Sequence, residues 1–241
     1  MQTIHANGLR WGRISDPSNL HNEQEQSSTM ANPTDLLVTT PATATRPANP
    51  APLGLASFGL TTVVLSCINA GLLPPAAVPV VVPLAFAYGG VAQLIAGVLE
   101  FKTGNTFGMV AFTSYGLFWW WFAFLKWTVG AGWLTAPPAS AMAVTLLMWG
   151  IFTFLLWLVT FRLSKPVWSI FLLLWITFFL LAWGDFGYMI GPLRCTVIGG
   201  YFGLLTGLDA LIVAFIEILN ATANREVIPL GRPIVHGRTN H

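Results

Sequence analysis

Six apolar segments, each near the ~20 residues needed to cross a ~30 Å hydrocarbon core, leave this chain one solvent in which to fold. They run at about 53–73, 80–101, 107–126, 139–161, 166–183 and 196–220. Only 8% of the 241 residues are charged and the mean hydropathy is +0.68. A water-facing surface needs far more charge, about 25% in soluble domains. The expected fold class is therefore an all-α integral membrane protein with six transmembrane helices.

Prolines punctuate the joints: Pro74, Pro75 and Pro79 after the first segment, Pro137 and Pro138 before the fourth, and Pro166 opening the fifth. Pro83 falls in the first turn of the second, where a missing N–H is tolerated. The stretch Asn49-Pro-Ala-Pro-Leu-Gly-Leu55 marks the entry into the first helix. Two prolines suit a helix start and not a helix interior, and Asn49 is placed to cap it. Residues 1–48 are polar, lack an apolar run of the signal-peptide kind and read as a disordered tail. Residues 49–223 form the six-helix membrane domain, and 224–241 a second tail.

Several function classes are excluded on composition. The four histidines, His5, His21, His236 and His241, all lie in the tails, outside every apolar segment. That removes the usual general base and the usual metal ligand from the membrane core. No catalytic group, cofactor or metal site is expected. A net charge of +2 without a clustered basic face gives no nucleic-acid surface. Cys67 and Cys195 make no metal-ligand spacing; unpaired thiols are the default, and a disulfide between them is the alternative.

Six spans put both termini on one side. Arg46, Lys102, Arg162, Lys165, Arg225, Arg232 and Arg238 share that side, while Lys126 and Arg194 flank the other. Positively charged flanks stay in the cytoplasm, so both tails are expected there. Trp119 to Trp121, Trp127, Trp133 and Trp183 read as interface anchors.

Few residues in the spans carry chemistry. Gln93 sits mid-span, where its amide either bonds a neighbouring helix or lines a polar path. Glu100 and Lys102 read as interfacial charges or a pair. The sixth span holds a stripe of small residues, Gly199, Gly203, Gly207, Ala210 and Ala214, suited to close packing within a protomer or between protomers. Beside it Thr206, Asp209, Val213 and Glu217 fall on an arc of about 80° at helical periodicity. An ionised Asp209 facing lipid would cost about 2.5–3.5 kcal/mol on insertion scales. It is either a proton-titrating group beside a solute path or a hydrogen-bonded group in a helix contact. Glu217 is a solvated end charge or a group at a pore mouth. A core this apolar, with scattered Asn, Gln, Thr, Ser and Tyr, suits a narrow path for a small, weakly polar solute. It does not suit a wide cation channel, which needs acidic rings or carbonyl filters.

Further stretches join the entry motif: Tyr88-Gly-Gly-Val-Ala-Gln93, Glu100-Phe-Lys-Thr-Gly-Asn-Thr-Phe-Gly108, and Ala111-Phe-Thr-Ser-Tyr-Gly116 with Ser114 inside it. Trp149-Gly-Ile-Phe-Thr153 and Val227-Ile-Pro-Leu-Gly231 complete the set. Together they resemble the acetate uptake transporter family, the group of the bacterial succinate–acetate permease and the fungal acetate transporters, some proposed to export ammonia. The resemblance spans about 49–231 and leaves the first tail outside. It implies a homohexamer in the lipid bilayer, each protomer with its own path for acetate and related small carboxylates, with succinate and protons as further partners. It also implies a constriction at Phe58, Tyr115 and Leu174, and polar motif positions at Asn49, Thr61, Gln93, Asn105 and Ser114. Asp209 departs from the family, which carries a small or neutral residue there.

The expected mechanism is passage of acetate through that neck, as a neutral acid or a transiently hydrogen-bonded anion, because a bare carboxylate in an apolar neck is costly. Both proton symport and an anion channel fit. Two rivals are an ammonia or neutral-solute channel, which would follow ammonium gradients, and a non-transporting sensor or scaffold, which would give no flux.

Overall fold

Pro50 and Pro52 start the first helix because neither needs to donate a backbone hydrogen bond there. The computed structural model describes residues 47–231 and 233–235. Among them α1 runs Ala51–Asn69, α2 Pro75–Thr103, α3 Thr106–Gly130, α4 Ala139–Thr160, α5 Lys165–Asp185 and α6 Cys195–Ala223. All six are long and apolar enough to cross a membrane. They are the six expected spans with ends shifted by a few residues. The tail up to 46, Arg232, Arg238 and the four histidines lie outside the described residues. A short antiparallel hairpin, β1 (Met189–Ile190) with β2 (Leu193–Arg194), links α5 to α6.

The second span departs most from expectation. It starts at Pro75 with a tight turn, so Pro75 and Pro79 lie in the helix and not in the joint, and Pro83 lies in its interior and not in its first turn. Pro83 has no N–H to offer the preceding turn and its ring crowds the carbonyl there. The helix answers by widening: Ala85–Ala92 form a π-helical stretch before regular α-helix resumes at Gln93. Trp120 Nε1 on α3 donates to the Phe86 carbonyl at 3.1 Å, satisfying one acceptor in the distorted turn. Such stretches re-aim the side chains that follow them. Gly104, at φ +77°, then ends α2, and the Asn105 side chain caps α3 by accepting from the Gly108 N–H at 3.1 Å.

Helices α1, α3 and α5 are the more deeply buried, whereas α2, α4 and α6 leave broad apolar faces outward. Within the chain, Gly203 and Gly207 of the α6 stripe pack against α1, whereas Gly199 meets Leu180 and Leu181 of α5. A Cβ placed on Gly207 would lie 2.8 Å from the Gly59 carbonyl oxygen, and one on Gly203 would strike Ser66. Glycine at these points lets two backbones approach as only small residues permit.

The second tail folds back on the bundle. Asn220 accepts from the Val227 and Ile228 N–H groups and donates to the Ile228 carbonyl. Leu230 packs against the core, and the Val235 N–H donates to the Phe161 carbonyl at 2.9 Å. Cys67 and Cys195 are both free thiols.

Candidate functional site

Phe58 on α1, Tyr115 on α3 and Leu174 on α5 come from three helices and meet in the middle of the bundle, 6%, 3% and 4% exposed. The Phe58 and Tyr115 ring centroids lie 5.9 Å apart, and Phe171 sits 6.1 Å from Tyr115 on the other side. The Tyr115 hydroxyl donates to Thr153 Oγ1 at 2.9 Å, and Thr153 in turn donates to the Trp149 carbonyl at 2.7 Å. A tyrosine in so dry a place needs such a partner. In the sequence Thr153 stands out only as the end of the Trp149–Thr153 motif; the need of a buried phenol for an acceptor does not say which helix supplies it.

Two cavities abut this neck, one at each end, and Phe58, Tyr115 and Leu174 line both. The cavity on the side of the termini measures about 220 Å³ and carries Gln93, Asn105, Ser164 and Glu217 on otherwise apolar walls. The far cavity measures about 200 Å³ and is more polar, with Thr62, Ser66, Asn69, Lys126, Asp185 and Thr196 among its lining. Such volumes admit waters and small solutes. Three side chains, one of them a hydrogen-bonded phenol, thus border both cavities.

The motif residues divide between the cavity walls and their supports. Gln93, 1% exposed, lines the near cavity at the point where the widened turn of α2 ends, and its Oε1 has no hydrogen-bond partner among the described residues. Pro50, and not Asn49, is the N-cap of α1; Asn49 accepts from the Ala51 N–H at 3.0 Å beside the helix start and donates to Glu217 Oε2 at 3.0 Å. The entry motif is thereby tied to the end of α6 at the mouth of the near cavity. Thr61 lines neither cavity; its hydroxyl bonds the Ser57 carbonyl at 2.8 Å and its side chain packs on Gly89. Ser114 lies on shallow outward grooves beside α4 and α2, away from the neck.

The arc expected along α6 splits. Thr206 and Val213 are buried and Glu217 lines the near cavity. Asp209 instead accepts from Ser169 Oγ at 2.6 Å in an outer groove shared with Lys165 and the returning tail. This is the helix-contact alternative for that carboxylate. Asp209→Asn keeps an acceptor for Ser169, so solute flux should stay within about twofold of wild type, the usual range for a surface change away from a site. A collapse of flux in folded Asp209→Asn protein would place this residue back in the path.

Glu100 differs from expectation as well. It is 1% exposed and not an interfacial charge, and it does not pair with Lys102, since residues two apart on a helix point to different faces. Thr103 Oγ1 donates to its Oε2 at 3.2 Å, while its Oε1 has no partner among the described residues. A Cβ on Gly108 would come within 2.8 Å of the Glu100 carboxyl carbon, so the glycine makes room for this side chain. Among the described residues no group of three or more His, Cys, Asp or Glu could hold a metal.

Residues 30–231 match the GPR1/FUN34/yaaH family. The succinate-acetate/proton symporter SatP of Escherichia coli is 38% identical over 187 residues, covering 78% of this chain and 97% of that one. The ammonia transport outward protein 2 of Saccharomyces cerevisiae is 40% identical over 191 residues, covering 76% of this chain and 63% of that one. A solved structure of the bacterial acetate channel SatP superposes with a TM-score of 0.72 at 38% identity, covering 77% of this chain and 99% of that chain.

Proposed function

The chain belongs to the GPR1/FUN34/yaaH family, and from that premise we propose that it carries acetate and related small carboxylates, succinate among them, across a membrane. The observation that carries this reading is the pair of cavities facing each other across Phe58, Tyr115 and Leu174. A solute small enough to pass between two aromatic rings and a leucine fits acetate; a hydrated metal ion does not. Stripping water from a bare carboxylate in so apolar a neck is prohibitive. Passage as the neutral acid, or as an anion briefly bonded by the Tyr115 hydroxyl, avoids most of that cost. Glu217, on the near-cavity wall and held by Asn49, is the candidate to exchange a proton with the solute. Neither cavity wall includes Asp209. The protein acts as a transporter or channel and not as an enzyme.

The outward apolar faces of α2, α4 and α6 suit a homohexamer in the bilayer, where subunit contacts and lipid share them. Both termini face the cytoplasm in this reading, supported by Lys102, Arg162, Lys165 and Arg225 at one end against Lys126 and Arg194 at the other. A second reading, ammonia movement, rests on the yeast relative named for ammonia transport. Radiolabelled acetate uptake into liposomes, with and without an imposed proton gradient, tests both. Accumulation above equilibrium that a protonophore abolishes means symport, and simple equilibration means a channel. Flux that follows ammonium and ignores acetate selects the second reading, and no flux from folded protein overturns both.

A further inference from the structure

The two cavities are electrostatically unlike. Among the described residues Lys126 is the only lysine or arginine that lines either of them, and it lies on the far one, its ammonium 5.8 Å from the Phe122 ring centroid. The near cavity has Glu217 and, among the described residues, no cation. Two polar side chains in the lining of the far cavity have bonding capacity left unused among the described residues. Trp119, 3% exposed, and Thr62, 6% exposed, both line it, and neither Trp119 Nε1 nor Thr62 Oγ1 has a hydrogen-bond partner among the described residues. An indole N–H can only donate, so what satisfies it must be an acceptor. A buried donor left without one is costly, which points to a water or a ligand oxygen there. Asp185 lines the same cavity and sets one negative charge against the lysine.

We propose that the far cavity is a capture site for a carboxylate monoanion, with Lys126 as the attracting charge, Trp119 and Thr62 as hydrogen-bonding groups, and Asp185 as the group that disfavours dianions. The assignment deepens the transport reading above and rests on it for the identity of the ligand. A monoanion meets one cation and the open indole donor on its way to the neck. A dianion brings a second carboxylate into a cavity with no second cation and an aspartate on its wall. Monocarboxylates are then favoured at neutral pH, while a dicarboxylate gains entry as its second carboxyl group becomes protonated.

Intrinsic tryptophan fluorescence of the purified full chain in detergent, titrated with sodium acetate and with sodium succinate at pH 7 and fixed ionic strength, reads this directly. Lys126→Gln should weaken acetate binding about fivefold, the most an exposed charge contributes, and should flatten its salt dependence. Lys126→Arg should restore most of it. Asp185→Asn should raise the preference for succinate over acetate by about fivefold on the same grounds. Acetate binding by Lys126→Gln equal to wild type, an unchanged preference in Asp185→Asn, or equal competition by chloride would each overturn the assignment. Should Lys126→Gln fail to elute as folded protein, the Arg and Asn variants decide. Wild-type binding without flux in liposomes would sink the transport reading and leave this site standing. Flux with unaltered Lys126→Gln binding would sink the site alone.

Discussion

Phe58→Ala is expected to admit larger monocarboxylates, such as propionate and butyrate, with uptake relative to acetate rising about tenfold, the scale on which one methylene is discriminated in an apolar pocket. The reason is geometric. Phe58 is one of three side chains that border both cavities, and its ring stands 5.9 Å from that of Tyr115. Removing the ring leaves Tyr115 held by Thr153 and Leu174 in place, so the neck widens on one side and keeps its hydrogen-bonding group. Phe→Ala in a packed core costs about 3–5 kcal/mol. Here the ring already borders open space above and below, so the loss of stability should fall at or below the bottom of that range. Uptake of a series of acids of increasing length is the measurement. An unchanged ranking of acids in folded Phe58→Ala protein would mean that size is selected elsewhere.

Gly207→Val is expected to cost about 3 kcal/mol or more, at the upper end of overpacking penalties, and to abolish recovery of monodisperse protein from detergent. Even the first added carbon sits 2.8 Å from the Gly59 carbonyl oxygen and 2.7 Å from a Val63 methyl. The carbonyl is backbone and cannot turn aside, so α1 must move away from α6. That movement carries Phe58 out of the neck, since it lies on α1 one residue from Gly59. Thermal melting followed by size-exclusion chromatography reads the effect. A Gly207→Val protein that melts like wild type would show that the α1–α6 crossing has slack that this backbone geometry lacks.

How much of this was legible beforehand follows from what each signal encodes. Span number and approximate limits rest on segment length and hydropathy, which a lipid solvent enforces strongly; the six helices follow them closely. Family membership followed from several separated motifs, and the match over residues 30–231 agrees. Helix rotation is another matter. The arc holding Asp209 and Glu217 is real as an arc, yet its two carboxylates point to different places because α6 is wrapped by α1 on one side and α5 on another. A wheel drawn for one helix carries no information about its neighbours. Thr61 and Ser114 illustrate the same gap, one packed beneath Gly89 and the other facing outward. Glu100 was hidden for a different reason. Its position near a helix end suggests solvent, but the α2–α3 joint folds over it and Gly108 leaves room for its carboxylate. The widened turn after Pro83 depends on how one strained helix is rescued by Trp120 from the next, a contact with no local signature.

In the proposed path, solute passes between the two cavities through the neck. Acetate flux through liposomes containing Leu174→Cys protein, measured before and after a water-soluble thiol-directed reagent, tests it most directly. Wild type, with free thiols at Cys67 and Cys195, is the control. Loss of flux on labelling Leu174→Cys, with wild type unaffected, is the predicted result. Full flux through protein shown to be labelled at position 174 would mean that the path lies elsewhere.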